Sequence, residues 1–111
     1  FNFAINHVPE LIKKISKKIK KIRYCFLHQA NKMIQDSIEK QLSKKNFVFA
    51  TSLTDYGNTS SATIPITICK NYSNQKLSGG YSLLCGFGVG LSISTVVINL
   101  EKTKIFNIIK I

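Results

Sequence analysis

The sequence predicts an α/β domain of element order α-β-α-β-α-β-β. Three observations carry this. Apolar residues recur at spacings of three and four in Val8, Leu11, Ile12, Ile15, Ile19 and Ile22, and again in Met33, Ile34, Ile38 and Leu42. That period is a helix with one buried face. Between and after these stretches, residues 23–27 and 47–51 are short apolar runs of strand length. Residues 81–87 and 91–100 are two more, joined by Gly88-Val89-Gly90, a tight glycine turn that predicts an antiparallel hairpin. Strands alternating with helices, closed by a hairpin, give a mixed sheet.

Each element has its own justification. Helix 8–22 carries Pro9 in its first turn, where an absent N–H is harmless, and its lysines fall opposite the apolar stripe. Residues 23–27 form a strand that ends at a polar tetrapeptide, "HQAN", and helix 30–42 follows with Met33, Ile34, Ile38 and Leu42 inward. After strand 47–51, "DYGNTS" is a turn: Gly57-Asn58 supplies permissive backbone, and Thr59 or Ser60 can cap what comes next. Residues 61–70, "SATIPITICK", are apolar on nearly every side. Pro65 argues against a central strand there, so the segment is expected to be the most buried helix. "NYSNQKLSGG" is a polar loop. Beyond "EKTK", residues 105–111 form an apolar tail that suits an added edge strand.

Composition narrows the class. With 111 residues and 44% hydrophobic content, the chain can pack a core. It has no apolar run of about 18 residues that would span a membrane and no secretory signal pattern. "FNFAINHVPEL" reads as an excised or truncated start. The net charge of +11 favours anionic partners, and Lys13, Lys14, Lys17, Lys18, Lys20, Lys21 and Arg23 concentrate it in one stretch. Nucleic-acid binding has the charge but no matching motif, and arginine is almost absent. The three cysteines, Cys25, Cys69 and Cys85, are far apart and lack metal-ligand spacing. They read as buried thiols of a reducing, cytoplasmic protein.

Three loops follow strand ends: His28-Gln29-Ala30-Asn31, Gly57-Asn58 and Gly88-Val89-Gly90. In open α/β sheets, ligands gather at the carboxyl ends of strands. A neutral histidine, an asparagine amide and the backbone N–H groups of a glycine turn are all donors that stabilise an oxyanion or enolate. Taken alone, a histidine at a strand end is more often structural, and Gly-Asn is usually a turn. "GFGVG" is not a dinucleotide fingerprint, because no helix and no later acidic residue follow it.

"HQAN", "YGNTSSATIP" and "GFGVGLS", in this order and spacing, resemble the C-terminal domain of β-ketoacyl-acyl-carrier-protein synthase III. That family of condensing enzymes has the thiolase fold. The resemblance covers residues 1–100 and leaves 101–111 as a tail. Plant-type polyketide synthases share Gly-Asn and a similar glycine turn, but their histidine is followed by Pro-Gly. The resemblance implies the C-terminal half of a thiolase-like fold, with a mixed sheet and helices on both faces. It implies that His28 and Asn58 bind the thioester oxygen of malonyl-carrier protein as decarboxylation makes it an enolate. It further implies that the Val89 amide completes an oxyanion hole, that Asn31 and Phe87 meet the pantetheine arm or lie beside the nucleophile, and that Ser60 orients the His/Asn pair.

The same resemblance implies no metal and no resident cofactor, with coenzyme A and carrier-protein phosphopantetheine serving as substrate carriers. The partners would be acyl carrier protein, acyl-CoA and, in the full-length enzyme, a second copy. Carrier proteins are acidic, so Lys17, Lys21 and Lys32 become candidate docking cations; the plainer reading of the lysine helix is a solvated face. One element of the family pattern is absent. The nucleophilic cysteine belongs to the N-terminal half, at the start of a buried helix, and no cysteine here has that setting. The chain thus reads as part of an enzyme, inactive in condensation by itself. A non-catalytic module that binds a carrier protein or coenzyme A is the alternative. The position two beyond Asn31, often basic in the family, is Met33.

Overall fold

The computed structural model describes residues 2–88 and 91–110. Helix α1 spans Asn2–Lys18, strand β1 Ile22–Leu27, helix α2 Lys32–Gln41 and strand β2 Val48–Phe49. A one-turn helix α3, Leu53–Tyr56, precedes helix α4, Thr63–Tyr72, and the hairpin strands are β3, Tyr81–Gly88, and β4, Ser92–Ile98. The long elements follow the expected order, with α3 interposed where a plain turn was expected. The sheet order is β2-β1-β3-β4. β1 is parallel to both β2 and β3, and β4 is antiparallel to β3, so the sheet is mixed.

Helices cover both faces. On one side Ala4, Val8 and Ile12 of α1 and Ile34 and Ile38 of α2 pack on Cys25, Leu27, Leu83 and Cys85. On the other, Ile64, Ile68, Cys69 and Tyr72 of α4 pack with Tyr24, Phe26, Leu77 and Ile105. The alternation of β1 explains the division: Cys25 and Leu27 face one layer, Tyr24 and Phe26 the other. Phe26, Leu27 and Leu83 are fully buried, each contributing roughly 1.5–3 kcal/mol of burial.

Several boundaries differ from expectation for identifiable reasons. α1 begins six residues earlier than position 8 and ends at Lys18. Its stripe runs back through Ala4, which places Pro9 in the helix interior. Proline cannot donate to the carbonyl four residues before it. That carbonyl, Ile5 O, instead accepts a bond from the Gln41 side-chain nitrogen at 3.0 Å, so the vacancy made by Pro9 ties α1 to α2. Past Lys18, Lys21 turns the chain at φ 65°, and Ile22 joins β1 rather than the helix. Helical spacing alone does not reveal where an apolar series passes from helix to strand. Gly80 is needed opposite this turn: a Cβ there would lie 2.6 Å from Lys21 O.

Met33 points outward and is 67% exposed, because Ile34, Gln35 and Ile38 form the inward stripe of α2. β2 has only two residues, since Asn46 adopts a left-handed φ of 57° just before it and Thr51 and Ser52 just after it turn their groups to side-chain partners. α4 is not the most buried helix: only Thr63 and Thr67 are buried. The sheet covers one of its sides and leaves Ile64, Ile66 and Ile68 half-buried. The tail is not a strand among its described residues. Ile105 plugs the α4-side core, and its carbonyl accepts from Asn74 N at 2.8 Å.

Candidate active site

β1, β2 and β3 run parallel, so the chain leaves all three at one edge of the sheet, at His28, at Thr51-Ser52 and at Gly88. A cleft of about 730 Å³ opens there, lined by His28, Asn58, Phe87 and Gly88 together with Phe3 of α1 and Ile34 of α2. Three loops that are distant in sequence therefore meet on one rim.

His28 is held at both ends. Its backbone N–H donates to Cys85 O at 2.9 Å, extending the β1–β3 pairing by one residue. Its ring meets Phe87 edge-on, with centroids 5.3 Å apart and planes at 89°. Partial burial among such neighbours lowers the His28 pKa, because desolvation penalises the imidazolium. The neutral ring carries one donating N–H at neutral pH.

Asn58 is delivered by α3. Tyr56 N donates to Ser52 O and Gly57 N to Leu53 O, each at 2.9 Å, which completes the turn. Gly57 then adopts φ 63°, a conformation open to glycine, and reverses the chain. The Asn58 side-chain oxygen accepts from Ser60 N at 2.9 Å, leaving the amide nitrogen as the end that can donate to a ligand. Lys70 on α4 pairs with Asp55 of α3 at 3.1 Å and holds this turn against α4.

The remaining site candidates divide. Phe87 lines the cleft and packs against His28. Ser60 touches Asn58 through its backbone amide, not its hydroxyl, and adopts a left-handed φ of 59°. Asn31 is the N-cap of α2, accepting from Ile34 N at 2.9 Å, and is exposed. Val89 lies outside the described residues. Lys32 opens α2 beside the cleft and pairs with Asp36 at 2.6 Å. Lys17 and Lys21 do not sit at the cleft. They flank the start of β1, and five residue steps of strand, about 17 Å, separate that end from the end that carries His28. A docking role at the entrance does not fit their placement.

Cys25 and Cys85 also fail as nucleophiles here, while Cys69, expected to be buried, is only half-buried on α4. Cys25 and Cys85 are buried on the α1–α2 side of the sheet, and burial pushes Cys85 up to about 12 and Cys25 higher still. Neither holds a useful thiolate fraction at neutral pH. Among the described residues, no three His, Cys, Asp or Glu side chains converge as metal ligands do. No helix among them is long and apolar enough to cross a membrane.

Sequence reasoning passed over Gln29. It is fully buried, and its four hydrogen-bonding positions are all used. The amide nitrogen donates to Leu27 O at 2.8 Å and Gln35 Oε1 at 3.1 Å. The oxygen accepts from Thr51 Oγ1 at 2.9 Å and Ser52 N at 3.2 Å. Ser52 Oγ and Thr67 Oγ1 of α4 lie 2.8 Å apart, and Asn71 of α4 donates to Thr51 O at 3.1 Å. The available signal was a glutamine between a buried strand and a capped helix, a place where an amide can serve several backbone groups at once.

Residues 12–100 match the family described as 3-oxoacyl-[acyl-carrier-protein (ACP)] synthase III C terminal. The chain belongs to that family. It is similar to beta-ketoacyl-[acyl-carrier-protein] synthase III of Streptococcus agalactiae serotype III, at 36% identity over 107 residues, covering 90% of this chain and 33% of the relative. The enzyme of the same name from Lactococcus lactis subsp. cremoris is 38% identical over 107 residues, with the same coverage of 90% and 33%. The chain thus spans about a third of the length of the curated relatives it matches. In fold it is similar to a 3-oxoacyl-(acyl-carrier protein) synthase from Burkholderia xenovorans, with a TM-score of 0.78 at 24% identity over 96% of this chain and 32% of that one. The Pseudomonas aeruginosa 3-oxoacyl-(acyl carrier protein) synthase III aligns with a TM-score of 0.71 at 21% identity, over 88% and 32%. The thiolase-like architecture of a synthase III C-terminal domain is therefore that of this chain.

Proposed function

We propose that this chain is the enolate-binding part of a condensing enzyme that joins an acyl starter to malonyl-acyl carrier protein. The observation that carries the reading is the convergence of a neutral His28 and the Asn58 amide on one cleft, in a member of the synthase III C-terminal family. The malonyl thioester would place its carbonyl oxygen between the two donors. Loss of CO2 sends the electron pair of the broken C–C bond into the carbonyl, giving an enolate oxygen that two neutral N–H groups stabilise without competing for a proton. The enolate carbon then attacks an acyl-cysteine thioester supplied by a cysteine-bearing half. The new C–C bond forms, the C–S bond breaks, and the thiolate leaves.

Phe87 walls the cleft beside His28, Asn31 offers its remaining amide nitrogen to the pantetheine arm, and the Val89 amide serves the acyl oxyanion. The half-buried apolar side of α4 is where the cysteine-bearing half would pack. Acyl carrier protein and acyl-CoA are the partners this reading requires, lysine steering of the acidic carrier is left to Lys32, and the enzyme works as a cytoplasmic dimer. The test is malonyl-thioester decarboxylation by the chain combined with a cysteine-bearing half. His28→Ala and Asn58→Ala should each lower the rate by about 10²–10³-fold, the usual effect of removing one such donor. Full decarboxylation by the double variant would reject the assignment.

A further inference from the structure

We infer that Gln29 is a positioning residue that sets the spacing between the two enolate-binding side chains. The inference rests on the reading of His28 and Asn58 given above and adds a residue that touches neither substrate nor cleft. His28 and Asn58 come from different loops, and among the described residues no hydrogen bond joins their side chains directly. A continuous link between them runs through Gln29. It follows His28 in the chain, and its side-chain oxygen takes both Thr51 Oγ1 and Ser52 N. Ser52 O in turn receives Tyr56 N in α3, the turn that ends at Gly57 and presents Asn58.

Thr51 supports the same link twice, since its hydroxyl oxygen also accepts from Leu53 N at 3.2 Å at the start of α3. The opposite end of Gln29 does something different. Its nitrogen bonds Leu27 O and Gln35 Oε1, which fasten the residue to β1 and α2. One amide therefore has an anchoring end and a spacing end. With all four positions used and no exposure to water, the amide has no alternative partner to relax toward, so it holds the two loops at one spacing, alongside the bonds that α4 makes to Thr51 and Ser52.

The two ends predict different losses. Gln29→Met fills the same space without either set of bonds. Thr51→Val removes a bond from the spacing end together with the Leu53 N bond that continues it into α3, and Gln35→Met removes one from the anchoring end. Decarboxylation is measured with malonyl thioester on the chain combined with a cysteine-bearing half, beside His28→Ala, and melting temperature is recorded for each variant. The expected result is a fall in kcat of at least tenfold for Gln29→Met and about threefold for Thr51→Val, with KM within twofold. Gln35→Met should keep kcat within twofold while lowering the melting temperature. If His28→Ala loses activity but kcat in the other three simply follows melting temperature, Gln29 is a structural residue and the inference falls while the function stands. If Gln29→Met does not fold, Thr51→Val and Gln35→Met decide alone: equal kcat in both overturns the inference. If His28→Ala keeps activity, the functional reading itself is lost.

Discussion

The proline inside α1 offers a quantitative test of how this fold is joined. Pro9 leaves Ile5 O without its helical donor, and Gln41 of α2 fills the place at 3.0 Å. A neutral hydrogen bond of this kind contributes about 0.5–1.5 kcal/mol net, and an exposed one belongs in the lower part of that range. Gln41→Ala should therefore cost about 0.5–1 kcal/mol when Pro9 is present. In a Pro9→Ala background the restored backbone N–H reaches Ile5 O by itself, and the same Gln41→Ala change should cost close to nothing. Gln41 also sits 3.4 Å from Ser37 Oγ. That contact and the helix propensity of the substituted residue are present in both backgrounds, so they cancel in a double-mutant cycle. The same cancellation removes the cavity and backbone effects of Pro9→Ala. Equilibrium urea unfolding followed by circular dichroism is the assay. At a urea dependence of about 1.5 kcal/mol/M, the difference between the two Gln41→Ala effects is a midpoint shift of about 0.3–0.7 M. Equal effects of Gln41→Ala in the two backgrounds would refute the argument that the side chain repairs the proline vacancy.

Two further outcomes follow from the titrating groups. Burial lowers the His28 pKa, so its ring resonance should titrate with a midpoint below the ordinary value of about 6.5 in a proton NMR pH series. Because the unfolded chain takes up this proton first, stability should fall as pH drops through and below that ordinary value; a midpoint at or above it contradicts the packing described. Cys25 and Cys85 are buried with raised pKa values, so neither should react with iodoacetamide at neutral pH until the chain is unfolded. Mass-spectrometric labelling of either thiol in the native chain, at the rate of a free cysteine, would show that the α1–α2 layer does not cover the sheet.

β1 and the pairing of β3 with β4 were legible because their signal is local: "RYCFL" and the runs at 81–87 and 91–100 are apolar with little interruption, while the Val89-Gly90 part of the turn lies outside the described residues. So was the convergence of His28 and Asn58, since parallel strands bring their exits to one edge. What the residues concealed has physical reasons. Pro9 looks like a helix start, and inside α1 the carbonyl it leaves without a donor is met by Gln41 from another helix. Met33 looks apolar and inward, yet Ile34 and Ile38 fix the face of α2. The burial of Gln29 and Gln35 is not visible in the sequence, because a polarity pattern records what a side chain prefers and not which partners the fold supplies. α4 looks buried all round, and its composition would suit a second covering layer, but one sheet covers one side. Lys17 and Lys21 belong to the same basic run that made a docking face attractive, and the run simply lies at the wrong end of β1.

The sheet order has a consequence in time. β1 is the central parallel strand, and its partner β3 follows it by roughly sixty residues, as the pairing of Ile22 with Tyr81 shows. At a synthesis rate of about 5–20 residues per second, β1 waits roughly 3–12 s for that neighbour. During that interval Leu27 has α1 and α2 to shelter it, Phe26 waits for α4, and neither has a hydrogen-bonded edge on the β3 side. The cleft is consequently among the last features to form: His28 gains its backbone anchor, and its aromatic neighbour Phe87, only when the final hairpin docks. A nascent chain stopped before that hairpin would carry the motif "HQAN" and none of its geometry.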